Sequence, residues 1–203
     1  NNATVSSTAD AEGDNTSTGN AVSNVAGAVV TLPAEQFTTG SQANYTTTVA
    51  CVGATLSGST PGSTFTMPEG DVTCTYTNTR IQRSLTLKKT WVDGKPGDAV
   101  TATTTGLANN ATVSSTADAE GDNTTTGNAV SNVPGAVVTL PAEQFTTGSQ
   151  ANYTTTVACT GATLSGSTPG STFTMPDGDV TCTYTNTRKS ATLQLLKTWI
   201  NAR

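Results

Sequence analysis

The amino-acid sequence repeats itself with a shift of 108 residues. Residues 1–80 and residues 109–188 are identical except at four positions, which are Ser17/Thr125, Ala26/Pro134, Val52/Thr160 and Glu69/Asp177. A tandem duplication with so little divergence indicates that both copies encode the same fold. The single long period also argues against a threonine-rich β-solenoid such as an ice-binding protein, because solenoid repeats are only tens of residues long.

The segment that follows the first copy returns after the second copy. Residues 84–91 read SLTLKKTW, and residues 191–199 read ATLQLLKTW. An alternating apolar segment after a short polar stretch is typical of the first strand of a domain, so the sequence predicts one complete domain over residues 84–188. Residues 1–80 are then a repeat that lacks its first strand or two, and residues 190–203 are the first strand of a further repeat.

The composition favours strands over helices. Thr and Val are abundant, whereas the chain has only 11% charged and 5% aromatic residues, and β-branched side chains suit a pleated sheet. Clusters of Gly and Pro divide the complete repeat into about seven segments, predicted as strands at 84–91, 98–105, 111–116, 136–140, 151–159, 171–175 and 179–187. Seven short strands predict an all-β chain of tandem Ig-like, antiparallel two-sheet β-sandwich domains.

Charge and motif content exclude several classes of function. The net charge is −5 and no basic run could neutralise a phosphate backbone, so nucleic acid is not an expected partner. No stretch of about 18 apolar residues is present, so we expect no membrane span in this segment. The chain has no histidine, no GxSxG motif and no phosphate-binding glycine loop, and we therefore expect it not to be an enzyme.

Four cysteines form two equally spaced pairs, one pair in each repeat. Cys51 is expected to bond Cys74, and Cys159 to bond Cys182, because no histidine, CxxC motif or acidic ligand accompanies them. In the chain-entropy model such a bridge contributes about 3 kcal/mol to stability. Disulfides persist in oxidising compartments, so the prediction is an extracellular, cell-surface location. Two free buried thiols per domain are the alternative.

Alternation assigns an inward face to the first and last strands. Val180, Cys182, Tyr184 and Asn186 share one face of the last strand. Leu85, Leu87, Lys89 and Trp91 share one face of the first strand, and Leu193, Leu195, Lys197 and Trp199 repeat this pattern. Both first-strand copies therefore place a lysine on the predicted core face, where an unpaired ammonium group is costly.

The LTLKKTW strand, the NYTTTV strand at 152–157 and the closing YTN at 184–186 resemble the prealbumin-like, collagen-adhesin B-type repeats of bacterial surface proteins. The resemblance implies an isopeptide bond between Lys89 and Asn186, assisted by a buried acid. The chain departs from the family pattern because the NYTTTVAC strand carries no acid. Glu143 and the more distant Glu120 are poor substitutes by position, and the cysteine pair could have replaced the bond. In the alternative interpretation, Lys89 lies at the rim of the core and its amine reaches solvent.

One acidic loop contains the residue types that bind calcium. Asp118, Glu120, Asp122 and Asn123 place four oxygen-bearing side chains within six residues, and calcium prefers oxygen ligands. The first copy has the same pattern at Asp10, Glu12, Asp14 and Asn15. The EF-hand pattern is incomplete, so a solvated surface loop is the alternative, and no other cofactor is expected.

These patterns lead to two functional hypotheses. In the first, the chain is a structural repeat of an extracellular bacterial filament, sheath or adhesin stalk, in which copies of the protein associate. Strand donation could complete its units, with Leu193, Leu195, Lys197 and Trp199 on the donated strand. In the second, the chain is an adhesin module that binds a glycan or a host protein through its loops.

Overall fold

A computed structural model describes residues 2–10 and 15–200 of the chain. The chain divides into two compact units, residues 1–81 (unit 1) and residues 82–203 (unit 2). Every regular element among the described residues is a strand, apart from two single-turn 3-10 helices at Gln42–Asn44 and Gln150–Asn152. The prediction of an all-β fold is therefore confirmed.

The described residues of unit 2 form ten strands. They are β5 (Arg83–Val92), β6 (Ala99–Thr103), β7 (Thr112–Thr116), β8 (Thr124–Thr126), β9 (Val130–Asn132), β10 (Val137–Thr139), β11 (Gln144–Thr147), β12 (Tyr153–Thr160), β13 (Thr172–Thr174) and β14 (Val180–Arg188). One sheet has the order β12-β14-β5-β8, with β9 also paired to β5. A second sheet has the order β11-β6-β7, and β10 pairs with β13.

Strand β5 is central to the larger sheet. It runs parallel to β14 over eight residue pairs, from Leu85 opposite Val180 to Val92 opposite Thr187. Its other edge pairs antiparallel with β8 and β9. The predicted sandwich was wholly antiparallel, and this one parallel pair is the exception. The two strands are the first and last of unit 2. Because they run in the same direction, the chain enters the unit at one end of this sheet and leaves it at the opposite end.

The core of unit 2 lies between the sheets. The inward residues Leu85 and Leu87 of β5 are fully buried and cluster with residues of the other sheets, including Ala102, Val113 and Val138. A second cluster surrounds Trp91, which packs edge-on against Tyr153 with ring centroids 5.3 Å apart. The inward faces predicted from alternation are thus the buried faces of β5 and β14.

Seven of the ten strands overlap the predicted segments, whereas β8, β9 and β11 were not predicted. Each of the three has only three or four residues. Their sequences, TTT, VSN and QFTT, are too short to show an alternating apolar pattern. Each forms a strand because it lies at the edge of a longer one, with β8 and β9 on β5 and β11 on β6.

Unit 1 shows what the same sequence does without β5 and β6. In the part of unit 1 that the structure describes, four strands are present: β1 (Val29–Thr31), β2 (Tyr45–Val52), β3 (Thr64–Thr66) and β4 (Thr73–Arg80). They form two separate two-stranded sheets, β1-β3 and β2-β4. The described residues 4–8, 16–18, 22–24 and 36–39, which correspond to β7, β8, β9 and β11, form no strand. These segments are strands in unit 2, where β5 or β6 provides a partner.

The two units also differ in how deeply corresponding side chains are buried. Tyr184, Val180 and Asn186 of unit 2 are at most 1% exposed. Their counterparts in unit 1, Tyr76 and Val72, are only half-buried, and Asn78 is exposed. The first strand of the repeat is thus the element that closes the core.

The buried face of β5 generates a prediction with an internal control. We expect Leu87→Ala to lower the unfolding free energy of unit 2 by about 2–5 kcal/mol, because it removes a fully buried side chain. Leu195→Ala makes the same change at the corresponding tail residue, which is 85% exposed, and should alter stability by less than about 0.5 kcal/mol. Urea unfolding followed by Trp91 fluorescence, with Trp199→Phe as the background, measures both. Equal effects would contradict the assigned role of β5.

Candidate cross-linking site

Lys89 lies at an inward position of β5, between Leu87 and Trp91. Its residue exposure is 0%, and its Nζ lies 4.6 Å from the centroid of the Trp91 ring. The alternative in which Lys89 reaches solvent at the rim of the core is therefore wrong. Leu87 and Trp91, its neighbours on the same face of β5, are also buried, so the Lys89 side chain cannot reach solvent by extending along the strand.

The buried partner of Lys89 is Glu143, which immediately precedes β11. Lys89 Nζ lies 3.1 Å from Glu143 Oε1, and both side chains are fully buried. The assessment of Glu143 as a poor substitute for the missing acid was therefore wrong, whereas Glu120 is exposed in its loop. One sequence signal could have identified Glu143, because it is the only charged residue in the mainly apolar segment AVVTLPAEQF at 136–145.

Asn186 is the third member of the cluster. On the parallel pair of strands, Lys89 is opposite Tyr184 and Asn186 is opposite Trp91. Lys89 and Asn186 are thus diagonal neighbours on the same buried face, within reach of a long side chain. The hydroxyl of Thr155 on β12 donates a hydrogen bond to Asn186 Oδ1, and Gln150 Nε2 donates to the Thr155 hydroxyl at 2.8 Å. These contacts hold the carboxamide by its oxygen.

The cluster contains several polar atoms without hydrogen-bond partners. Among the described residues, this holds for Asn186 Nδ2, Lys89 Nζ and both carboxylate oxygens of Glu143. The ion pair is therefore close in distance but lacks the angles of a hydrogen bond. An unsatisfied buried polar group costs about 1–3 kcal/mol, and more when it is charged. As a noncovalent arrangement, this site is unfavourable.

Burial also changes the acidity of the lysine. Removal from water lowers the pKa of Lys89 to about 8, against the opposing attraction of Glu143. The same burial, together with Glu143, raises the pKa of the Tyr184 hydroxyl, which donates a hydrogen bond to the Pro141 carbonyl. A lowered pKa increases the fraction of neutral amine, which is the nucleophilic form.

Together the three groups carry the components of an amide exchange. The neutral amine of Lys89 is a nucleophile, the carboxamide of Asn186 is an electrophile, and the carboxyl group of Glu143 can accept and return a proton. Attack of Nζ on Cγ of Asn186 would form a Lys–Asn amide and release Nδ2 as ammonia. The reaction would remove the buried ammonium group and the unpartnered Nδ2 at once.

Unit 1 contains the same site without the lysine. Asn78 Nδ2 donates a hydrogen bond to Glu35 Oε2 at 2.8 Å, and the Thr47 hydroxyl donates to Asn78 Oδ1. The acid and the carboxamide thus contact each other when no lysine is present. In unit 2 the corresponding acid contacts Lys89 instead.

Both predicted disulfides are present. Cys51 bonds Cys74, and Cys159 bonds Cys182. In each unit the two cysteines are directly opposite each other on antiparallel strands, β2 with β4 and β12 with β14. Because disulfides persist only where thiols are not continually reduced, these bonds assign the chain to a non-cytoplasmic, oxidising environment.

The acidic loop of unit 2 uses its side chains to hold its own backbone. Asp118 Oδ1 accepts hydrogen bonds from the amides of Glu120 and Gly121. Asp122 Oδ1 accepts from the Asp93 amide, and Asn123 Nδ2 donates to the Thr116 carbonyl. Within residues 2–10 and 15–200, no group of three or more Asp, Glu, Cys or His side chains is placed to hold a metal ion. Glu12 and Asp14 of the first copy lie outside the described residues.

The four tail residues predicted on a donated strand are exposed. Leu193, Leu195 and Trp199 have 85%, 85% and 72% of their surface accessible. Lys197 Nζ lies 4.0 Å from the centroid of the Trp199 ring, which repeats the contact between Lys89 and Trp91. The tail therefore presents the β5 pattern without a sheet.

Comparison with protein-family models, with curated proteins and with solved structures found no match. The resemblance to adhesin repeats thus remains a prediction from the sequence. In the part of the chain that the structure describes, no helix has the length and apolar character needed to cross a membrane.

The lowered pKa of Lys89 predicts a pH dependence of stability. In Asn186→Ala, which cannot form the amide, the unfolded lysine has the higher pKa and binds more protons between about pH 8 and 10. The unfolding free energy should therefore rise with pH in this window, relative to Lys89→Met/Asn186→Ala. Urea unfolding of the two variants over this range measures the difference. A constant difference across the window would contradict the burial of a titrating amine.

Proposed function

We propose that the chain is a load-bearing structural segment of an extracellular bacterial filament, sheath or adhesin stalk. The near-identical copies support this proposal, because number and length then matter more than any individual surface.

The observation that carries the proposal is the position of the buried cluster relative to the chain ends of unit 2. Tension applied through the chain would enter at β5 and leave at β14, and would shear these two parallel neighbours against each other. Lys89 lies on β5 and Asn186 on β14. An amide between them would join the two strands that bear the force and would leave the intervening residues unloaded.

The noncovalent state of the site supports the covalent proposal. Ion pairing alone leaves buried polar atoms without hydrogen bonds, and such pairs are often less stabilising than apolar packing. Amide formation converts the amine and carboxamide into one neutral group. The disulfide between Cys159 and Cys182 then holds β14 to β12, which pairs with the edge of β14 opposite β5.

Intact mass of the 203-residue chain tests the proposal. After full reduction and denaturation, we expect a mass about 17 Da below the sequence mass, because the formation of one Lys–Asn amide releases one molecule of ammonia. Lys89→Met, Glu143→Gln and Asn186→Ala should each restore the full mass. Lys88→Met is the matched control, because Lys88 is the adjacent lysine on the other face of β5, and it should retain the loss.

A full sequence mass for the folded, unsubstituted chain would refute the covalent cross-link. Retention of the loss in Lys89→Met would show that another lysine is used. The second hypothesis, an adhesin module that binds a glycan or host protein, stays a prediction, since no described contact favours it.

A further inference from the structure

The oxygen of the Asn186 carboxamide is held by two polar side chains to which the cross-linking reaction has so far assigned no role. The Thr155 hydroxyl donates a hydrogen bond to Asn186 Oδ1, and Gln150 Nε2 donates to that hydroxyl at 2.8 Å. We call Gln150 and Thr155 the hydrogen-bond relay. Asn186 is fully buried and Thr155 is 9% exposed, so the relay ends on an oxygen inside the core.

The donor and acceptor roles in this relay are fixed by chemistry. The Nε2 group of Gln150 can only donate, so the Thr155 oxygen must accept from it. A hydroxyl has one proton, and acceptance from Gln150 leaves that proton free to point at Asn186 Oδ1. Hydrogen bonds in such a chain polarise one another in a low-dielectric interior. Gln150 therefore both directs and strengthens the bond that Thr155 makes.

Local backbone structure places the relay without any contribution from the lysine. The Ser149 hydroxyl accepts a hydrogen bond from the Ala151 amide and caps the 3-10 helix at Gln150–Asn152. Strand β12 begins at the next residue, and its register sets Thr155 directly opposite Asn186 on β14. The turn and the strand pair thus hold donor and acceptor in fixed positions.

The same relay is present in the other repeat. Gln42 Nε2 donates to the Thr47 hydroxyl at 2.7 Å, and that hydroxyl donates to Asn78 Oδ1. Thr47 lies directly opposite Asn78 on β2 and β4. The nitrogen of this carboxamide points the other way and donates to Glu35 at 2.8 Å. In both repeats, therefore, the relay holds the oxygen of the carboxamide and leaves the nitrogen for other contacts.

The oxygen that the relay holds is the atom on which negative charge develops during amide exchange. Attack of Lys89 Nζ on Cγ of Asn186 forms the new bond and moves the carbonyl electron pair to Oδ1. When that pair returns, the bond from Cγ to Nδ2 breaks. Glu143 takes a proton from the amine and returns one to Nδ2, which leaves as ammonia. The Thr155 hydroxyl keeps its proton and would stabilise the charge on Oδ1 by its hydrogen bond.

We propose that Thr155 is a catalytic residue of the cross-linking reaction, because its hydroxyl stabilises the oxyanion on Asn186 Oδ1, and that Gln150 is the positioning residue that directs this hydroxyl. The inference rests on the proposed function, since it assigns two further residues to the same site. The relay also leaves Nδ2, the leaving group, as the end of the carboxamide without a hydrogen-bond partner.

The rate of ammonia loss tests the role of Thr155. The full-length chain is made by cell-free translation under oxidising conditions, synthesis is stopped, and samples are reduced and denatured at successive times for intact mass. Thr155→Val removes the hydroxyl at nearly constant shape and should slow the loss of ammonia by about 100-fold. Thr155→Ser retains a hydroxyl and should react at close to the unsubstituted rate.

Substitutions of Gln150 test the direction of the hydroxyl. In Gln150→Glu the carboxylate accepts the Thr155 proton, so the hydroxyl presents a lone pair to Oδ1, and the rate should again fall by about 100-fold. Gln150→Leu removes the donor without reversing the hydroxyl and should cost about tenfold, the effect of one neutral hydrogen bond. Asn152→Asp adds the same charge in the same 3-10 helix and should leave the rate unchanged.

The pH profile of the rate separates catalysis from a loosened core. Loss of the hydroxyl should lower the rate at every pH and leave the midpoint of the profile in place, because that midpoint follows the pKa of Lys89 at about 8. A core that admits water to Lys89 would instead move the midpoint toward the ordinary pKa of lysine.

Each outcome decides between the two proposals. An unchanged rate in Thr155→Val, a shifted midpoint in that variant, or equal rates in Gln150→Glu and Asn152→Asp would overturn the inference and leave the proposed function in place. Gln150 is exposed, so its variants decide the question even if Thr155→Val does not fold. Absence of ammonia loss in the folded, unsubstituted chain would refute the proposed function, and the inference with it.

Discussion

The parallel pairing of β5 with β14 is the interaction on which the rest of the structure depends. In unit 2, β5 supplies the buried leucines, the partner edge for β8 and β9, and the lysine of the candidate site. Unit 1 has nearly the same sequence from β7 onward without that strand, and it forms only two two-stranded sheets. Strand formation in this fold is therefore not a purely local property, because the sequences of β7, β8, β9 and β11 are strands in unit 2 and their counterparts in unit 1 are not.

The same pairing places the buried Lys89 beside Asn186 of the last strand. A noncovalent lysine, glutamate and asparagine cluster leaves polar atoms without partners in the core, and such a cluster is hard to justify by stability alone. The cluster lies between the first and last strands of unit 2, and in the proposed function these are the strands to which tension along the chain would be applied.

Much of the fold and the inward positions of Lys89 and Asn186 followed from local patterns, whereas the position of the acid did not. Alternation identified the inward faces of β5 and β14, and equal spacing identified the cysteine pairs that the structure joins. Glu143 was misjudged because its contact with Lys89 joins residues that are far apart in the chain, and no period in the sequence encodes such a contact. Strands β8, β9 and β11 were missed for a related reason, since their partner residues lie 34 or more residues away in the chain.

Single-molecule pulling on the 203-residue chain, with handles on the two sides of unit 2, tests the mechanical claim most directly. A covalent link from Lys89 to Asn186 predicts that unit 2 does not lengthen at any force that leaves covalent bonds intact. Lys89→Met should instead unfold and release roughly 80 residues outside the disulfide loop, an extension of about 250 Å. The same extension in the unsubstituted chain would contradict the account, because it would show that β5 and β14 are held together by noncovalent contacts alone.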